Sequence, residues 1–358
     1  MKKTFGILTT VAVLAFLLFG CAQNWEIDNP YKNVDWQNHQ QYKANLHTHT
    51  TRSDGRMSPQ QVVDNYHKLG YSILAITDHN EVTFPWTSFA ELSPSERANE
   101  RLQAGEIGAA ALEYENRSPE NLGMFAIQGN EVSSPHHVGS YFSDYQSQPG
   151  DERVTLTELG EKGGLLLLNH PGRYTARDPE KYNVDWYVDI FNDYDYLTGM
   201  EVYNQGDRYP NDRKHWDSVL TKIMPERNVW GYSNDDFHAG IERLGRNWNV
   251  FILPDLNEES IRQGMLEGSF LYVYAINGHN GPAVPKIESI NVSKKNTAIE
   301  IVASGEDSIR WISGGNVVAR GNTIRLPETE NLSGYVRAEI YGPESVTGTQ
   351  PFGVTKLE

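Results

Sequence analysis

Apolar positions along the chain fall first in one nearly continuous block and afterwards in short, punctuated runs. The block, "TFGILTTVAVLAFLLF", follows "MKK" and stops at Gly20-Cys21. A positive start, an apolar run and a small residue make a secretory leader, too short for a comfortable membrane-spanning helix. A polar stretch, "AQNWEIDNPYKNVDWQNHQ", comes next. Beyond it the period switches back and forth between strand and helix. "KANLHTH", "YSILAITDH", "GMFAIQGNEV", "HHVGSYF", "LLLLNH", "TGMEVYN", "NVWGYSNDDFH" and "NWNVFIL" read as strands. "SPQQVVDNYHKLG", the charged stretch 93–116, "TLTELGEKGG", "NDRKHWDSVLTKIM" and "NEESIRQGMLEG" read as helices. This alternation predicts an α/β domain over residues 42–283 with a largely parallel sheet, open or closed into a barrel. From residue 284 the helical period vanishes. "AIEIVAS", "IRWISGG", "NVVARG" and "GYVRAEIYG", parted by Gly, Asn and Pro, predict a small β-sandwich over 284–358. Residues 1–20 are then the leader and 21–41 a tether.

Cysteine usage sharpens the first part of this picture. Cys21 is the only cysteine among 358 residues, so the body holds no disulfide and offers no thiolate to a metal. Leu18-Phe19-Gly20-Cys21 resembles the lipobox of a bacterial lipoprotein signal. That resemblance implies export and a lipid anchor at Cys21, on the periplasmic or cell-surface side of a bacterial membrane. The formal charge of −16 becomes −18 when Lys2 and Lys3 leave with the leader. Such an acidic surface repels phosphate backbones, and no nucleic-acid partner is expected.

Where the coordinating side chains fall is more informative than how many there are. His47 and His49 close the first strand run, with Asp54 in the turn beyond. Residues two apart share one face of a strand, so the two imidazoles stand side by side. Asp78 and His79 close the second run, Glu131 the third, and His137 lies in the next. His170 closes "LLLLNH", and Asp236 and His238 close "VWGYSNDDFH" at the same two-residue spacing. Six of the eleven histidines thus sit where parallel α/β folds assemble their sites. Imidazole and carboxylate without thiolate suit catalytic zinc, iron or manganese rather than a structural zinc. Nine such groups exceed what one ion takes. Two or three ions sharing a carboxylate would use them all. His39, His67, His215 and His279 fit no ligand position and are expected to pack or face solvent, whereas Asp78 is expected to orient His79 or its loop.

The set "HTH" with Asp54, "TDH" at 77–79, "NE" at 130–131, His137, "HP" at 170–171 and "DDFH" at 235–238 resembles the PHP (polymerase and histidinol phosphatase) superfamily of metal-dependent phosphoesterases. The likeness covers roughly residues 42–280. It implies a distorted (β/α)7 barrel with a trinuclear centre. One divalent ion (Zn, Fe or Mn) would be held by His47, His49, Glu131 and Asp236, a second by Glu131, His137 and His170, and a third by Asp54, His79 and His238. Asp54 departs from histidinol phosphatases, which carry histidine there, so histidinol phosphate is not the expected substrate. His137 rather than His136 matches the family's pattern. "HWDSVLTKIMPERNVWGYSNDDFH" resembles the secreted, carbaryl-hydrolase-like branch.

The expected chemistry is hydrolysis of a small phosphate mono- or diester by a metal-activated water. Arg173, directly after "NHPG", is the candidate phosphate clamp, because its guanidinium fork matches phosphate oxygens. His238 is the other candidate catalytic residue. Arg52, Arg243 and Arg246 are further candidates for the clamp. Two other readings remain open: a carboxylic or carbamic ester hydrolase using the same centre, and a non-catalytic tethered binding protein with structural metals.

Overall fold

A computed structural model describes residues 25–295 and 297–357. The expected leader and the expected anchor at Cys21 lie outside the described residues.

The α/β part is built on two sheets. In the first, Gln40–Asn45, Ile73–Ala75 and Phe125–Ile127 run parallel, while Asn247–Leu253 and Phe270–Ala275 add on antiparallel. The second takes Gly129–Val132, Val138–Tyr141, Leu165–Leu168, Leu197–Asn204 and Trp230–Asn234 in that order. Its first two pairings are antiparallel and its last two parallel. The sheets are therefore mixed rather than largely parallel. The connection from Val132 to Val138 is too short for a crossover, which needs a dozen or more residues. Isolated bridges between Thr48 and Phe237 and between His79 and Glu131 join the two sheets. No closed barrel forms among the described residues.

Helices follow their sequence signals where the apolar period is strong. Pro59–Lys68 opens on a Ser58–Gln61 capping box and buries Val62, Val63 and Tyr66. Asp212–Ile223 buries Trp216, Val219 and Leu220, and Glu258–Glu267 ends at left-handed Gly268. The expected helix over 93–116 shrinks to Glu96–Gln103, since Gly105 takes a left-handed φ of 71° and stops it. Val184–Asp193, which buries Tyr187, Ile190 and Phe191, is a helix that the sequence reading missed.

The C-terminal strands do face one another across an apolar layer. Ile287, Ile290, Ile299, Ile301 and Ile324 of a three-stranded sheet cluster with Ile309, Trp311, Val336, Ile340 and Phe352 opposite. They are not a free-standing sandwich, however. Ser345–Gly348 pairs with Phe270–Ala275, so the facing strands continue the first α/β sheet. At the seam, buried Arg337 donates to Asp217 of helix Asp212–Ile223 (2.8 Å) and to Glu339 (2.7 Å). The described part of the expected tether is docked as well. Trp25–Asp28 pairs antiparallel with Phe352–Lys356, and the buried Tyr31 hydroxyl donates to the Phe270 carbonyl (3.1 Å).

Candidate metal centre

Most of the expected ligands stand just beyond the strands rather than within them. The first strand ends at Asn45, before His47 and His49. There the backbone leaves the ladder and is held by the His49 N–H donating to the Phe237 carbonyl (2.8 Å). His170 and Asp236 follow strand ends with φ of 32° and 45°. Left-handed backbone is uncommon outside glycine, and it persists at sites where the surrounding structure holds it. Glu131 lies inside its four-residue strand, while His137 immediately precedes Val138–Tyr141. The turn carrying Asp54 is pinned from outside by Arg101, which donates to the Asp54 and Gly55 carbonyls.

All nine expected ligands converge. His47 Nε2 is 3.1 Å from His49 Nε2 and 3.3 Å from Asp236 Oδ1. Glu131 Oε1 lies 3.0 Å from both His137 Nδ1 and His170 Nε2, and 3.3 Å from His47 Nε2. Its other oxygen is 3.0 Å from His79 Nδ1. His238 Nε2 is 3.1 Å from Asp54 Oδ1. Four overlapping groups have ligand atoms within 4.8 Å of one another: His49, Asp54, His79 and His238; His47, Glu131 and His170; His47, His49 and Asp236; His79, Glu131 and His137. The partition differs slightly from the expected one, since His170 groups with His47 and His137 with His79. Glu131 remains the shared carboxylate.

Tautomers are set by neighbours. His47 Nδ1–H donates to Glu201 Oε1 (2.9 Å), and His238 Nδ1–H donates to the Asp236 carbonyl (2.9 Å). In each ring Nε2 is the nitrogen turned into the cluster, the one a cation would take by displacing its proton. Glu201 also accepts from the His170 N–H (2.7 Å) and from Asn204 and Asn234 (2.9 and 3.0 Å). It holds two members of the cluster at once, and the sequence reading missed it. The available signal was a carboxylate within the apolar run "TGMEVYN". The Asp78 carboxylate accepts from Thr50 N and Oγ1 (both 2.7 Å), Ser53 Oγ (2.6 Å) and Thr83 Oγ1 (2.6 Å), tying its own loop to the 50–53 turn, while the Nδ1 of His79 meets Ser133 Oγ (2.8 Å).

The cluster's own polar atoms are left unsatisfied in a way that fits cations. Asp54 Oδ1, Asp236 Oδ1, His49 Nδ1, His137 Nδ1 and His170 Nδ1 are buried without a hydrogen bond. The short His238–Asp54 separation is thus a close but misaligned contact. Burial would raise Glu131 and Asp236, yet the surrounding imidazoles hold both well below the usual carboxylate range. Burial and the neighbouring His238 and His79 push His49 down to about 4, which keeps it neutral. Against burial, the cluster's carboxylates raise His47 and His79 and bring His238 to about 9, so a zinc, iron or manganese ion taking this imidazole and carboxylate donor set would displace those protons.

Three exposed arginines, Arg97, Arg173 and Arg208, share the cleft lining with Asp54, His79, Glu131, His137, His170, Asp236 and His238. Arg97 Nη1 is 3.5 Å from Asp54 Oδ2, and Arg208 donates to Gln205 Oε1 (2.7 Å). Arg52 is engaged elsewhere, by Glu81 (2.8 Å) and the Ser93 carbonyl (2.9 Å), and Arg246 packs against Gly206. His136 turns away from the cluster, its Nε2 2.9 Å from the Tyr187 hydroxyl. None of His39, His67, His215 and His279 belongs to these groups.

The sequence profile of the PHP domain matches residues 45–199. That match covers less than half of the chain. That range holds seven of the nine converging residues, and Asp236 and His238 lie beyond it. A Haemophilus influenzae protein named 5'-3' exoribonuclease is 24% identical over 275 residues, spanning 58% of this chain and 95% of that one. The Bacillus subtilis DNA polymerase/3'-5' exonuclease PolX is 38% identical over 76 residues, 21% of this chain and 12% of that protein. Among solved structures, a two-domain Bacteroides vulgatus protein containing a predicted PHP-like metal-dependent phosphoesterase aligns with TM-score 0.50 at 16% identity, covering 91% of this chain and 89% of its own. That likeness is one of fold, and it extends past the matched residues into the C-terminal strands. With the convergent His, Asp and Glu groups, a metal-dependent hydrolase is the activity class these findings support.

Proposed function

We propose that the chain is a phosphoesterase that hydrolyses a small phosphate mono- or diester at a centre of two to three divalent ions. The observation that supports this most is Glu131, whose two oxygens reach His47, His79, His137 and His170. On this reading His47, His49, Glu131 and Asp236 hold one ion, Glu131, His137 and His170 a second, and Asp54, His79 and His238 a third. Bound there, divalent ions supply Lewis acidity and bring the pKa of a coordinated water from 15.7 toward ~7. The chain's own groups do the rest. Glu201 keeps His47 in the tautomer that offers Nε2, and Asn169 donates to Glu131 Oε1 (2.9 Å), fixing the shared carboxylate. Arg173 grips the non-reacting phosphate oxygens, with Arg97 and Arg208 beside it at the rim.

Three cationic side chains at the cleft of an acidic protein favour an anionic ester over a carboxylic or carbamic one. They weaken the carbaryl-hydrolase-like reading of substrate. The resemblance of the segment around Trp216-Asp217 to that secreted branch stays as a proposal of ancestry. We read the two bridged sheets as a distorted barrel that does not close its ladder. The relatives named as nucleases put a nucleotide diester among the substrates to try.

The test is hydrolysis of matched chromogenic substrates: a phosphate monoester, a phosphate diester and a carboxylic ester. Each is run with metal-loaded, chelated and Asp236→Ala protein. Phosphate turnover lost under both treatments supports the proposal. Turnover of the carboxylic ester alone sinks it.

A further inference from the structure

We propose that the end of the molecule bearing Trp25–Asp28 lies against a lipid bilayer and that the metal cleft opens at the opposite end, into water. The inference rests on acylation at Cys21. Only Ala22, Gln23 and Asn24 separate that cysteine from Trp25, which is paired with Lys356. A chain spans at most about 3.5 Å per residue, so the acylated sulfur's residue is within ~14 Å of a strand fixed in the body. The body cannot drift from the membrane, and the question becomes which end it presents.

Three independent contacts answer it. Asp28 accepts from Asn228 Nδ2 (3.1 Å), and Asn228 stands just before Trp230–Asn234, whose far end leads to Asp236 and His238. Gly353, opposite Asp28 in the ladder, lies against Pro225, in the turn that enters the same strand. Tyr31 is tied to the carbonyl of Phe270, the first residue of Phe270–Ala275. The chain then enters Gln40–Asn45 from this side and reaches His47 only beyond the strand's other end. At about 3.3 Å per strand residue, the centre stands roughly 20–25 Å from the docked segment.

The surface at that end suits headgroups. Lys32, Lys294 and Lys356 are exposed there with Leu357, beside Glu26 and an Asp28 that Lys32 engages at 3.6 Å. Lysines near a bilayer are drawn to anionic headgroups. The C-terminal strands are then the part that seats the enzyme on the membrane. Given the hydrolase reading above, the substrate is a water-soluble phosphate ester and not a membrane phospholipid.

The experiment uses the full, acylated chain in phosphatidylethanolamine–phosphatidylglycerol vesicles doped with a headgroup-spin-labelled lipid. Acylation blocks the Cys21 sulfur, so Lys294→Cys and Gln146→Cys each carry one free thiol for a fluorophore. Gln146 lies near Gln148, which donates to the carbonyl of cleft residue Ser133 (2.7 Å). Several-fold stronger quenching at 294 than at 146 is expected, with Cys21→Ser releasing the protein from the vesicles. Equal or reversed quenching overturns the orientation, and a Cys21→Ser chain that stays bound overturns the anchor. Neither readout depends on turnover, so an inactive protein leaves the orientation standing. A second arm supplies the same vesicles as substrate, and release of phosphate or headgroup from their phospholipids would overturn the soluble-substrate part.

Discussion

Glu131 and Glu201 are both buried carboxylates among imidazoles, but they do different work. Glu131 faces the cluster with both oxygens, while Glu201 stands behind it and holds His47 and the His170 backbone. Partners that orient metal ligands affect metal affinity or activity by about 10–100-fold. Glu201→Gln should therefore weaken zinc or manganese binding by that factor, measured by competition with a chelator. An unchanged affinity would remove Glu201 from the centre. Arg173 makes no ion pair in the described structure and sits exposed at the rim. A charge-assisted hydrogen bond contributes about 1.5–3 kcal/mol, so Arg173→Met should lower kcat/KM for a phosphate ester by roughly 10–100-fold. Equal losses on a carboxylic ester would argue against a clamp. The converging His, Asp and Glu residues were legible as a set because apolar runs lead into residues an apolar sheet has no use for. Glu201 was not, since "TGMEVYN" reads as one more buried strand until its partners are seen. Arg97 and Arg208 were hidden for a different reason: exposed charge on a helix or loop carries no pattern.

The helix Asp212–Ile223 links the cleft side of the fold to the C-terminal strands. Asp212 reaches toward Gly172, behind His170, while Trp216 packs on Gly231 and Asp217 meets Arg337. A Cβ on Gly231 would come within 2.8 Å of the Trp216 ring, so Gly231→Ala should destabilise by about 1–3 kcal/mol in urea unfolding. His215 lies on the same helix, its ring edge-on to Tyr187 at 4.4 Å and its Nε2 buried without a partner. Burial pushes it down to about 4. Its unfolded value is about 6.5, so between those values the unfolded chain binds a proton that the folded chain does not. Stability should fall as pH drops from about 6.5 to 4, and His215→Phe should flatten that slope by about 1–2 kcal/mol, discounted for its partial exposure. A variant with the same acid profile would show that the ring is not held neutral. Element types with strong apolar periods were readable in advance. Strand direction was not, because it depends on how far a connection must travel. The 93–116 stretch misled because its charges mimic a helix that Gly105 ends.

At the scale of the molecule, the boundary expected near residue 284 marks a change of composition and not a gap in the structure. Phe270–Ala275 passes its hydrogen bonds to Ser345–Gly348, and Arg337 crosses the seam between two carboxylates. Removing one partner of a buried ion pair typically costs about 3–5 kcal/mol, because the other charge is left behind. Arg337→Met should lower unfolding free energy by that amount, and adding Asp217→Asn should return part of it. A surface-like effect below about 1 kcal/mol would mean that the two parts are not joined there. Sequence periodicity cannot show such a seam, since both of its sides read as ordinary strands.

The most direct test of the central claim is phosphate-ester turnover while divalent metal is titrated into chelated, metal-free protein. Turnover should be absent at the start, rise with added zinc, manganese or iron, and level off at two to three equivalents per chain. Phosphate turnover by metal-free protein that added metal leaves unchanged would contradict the account.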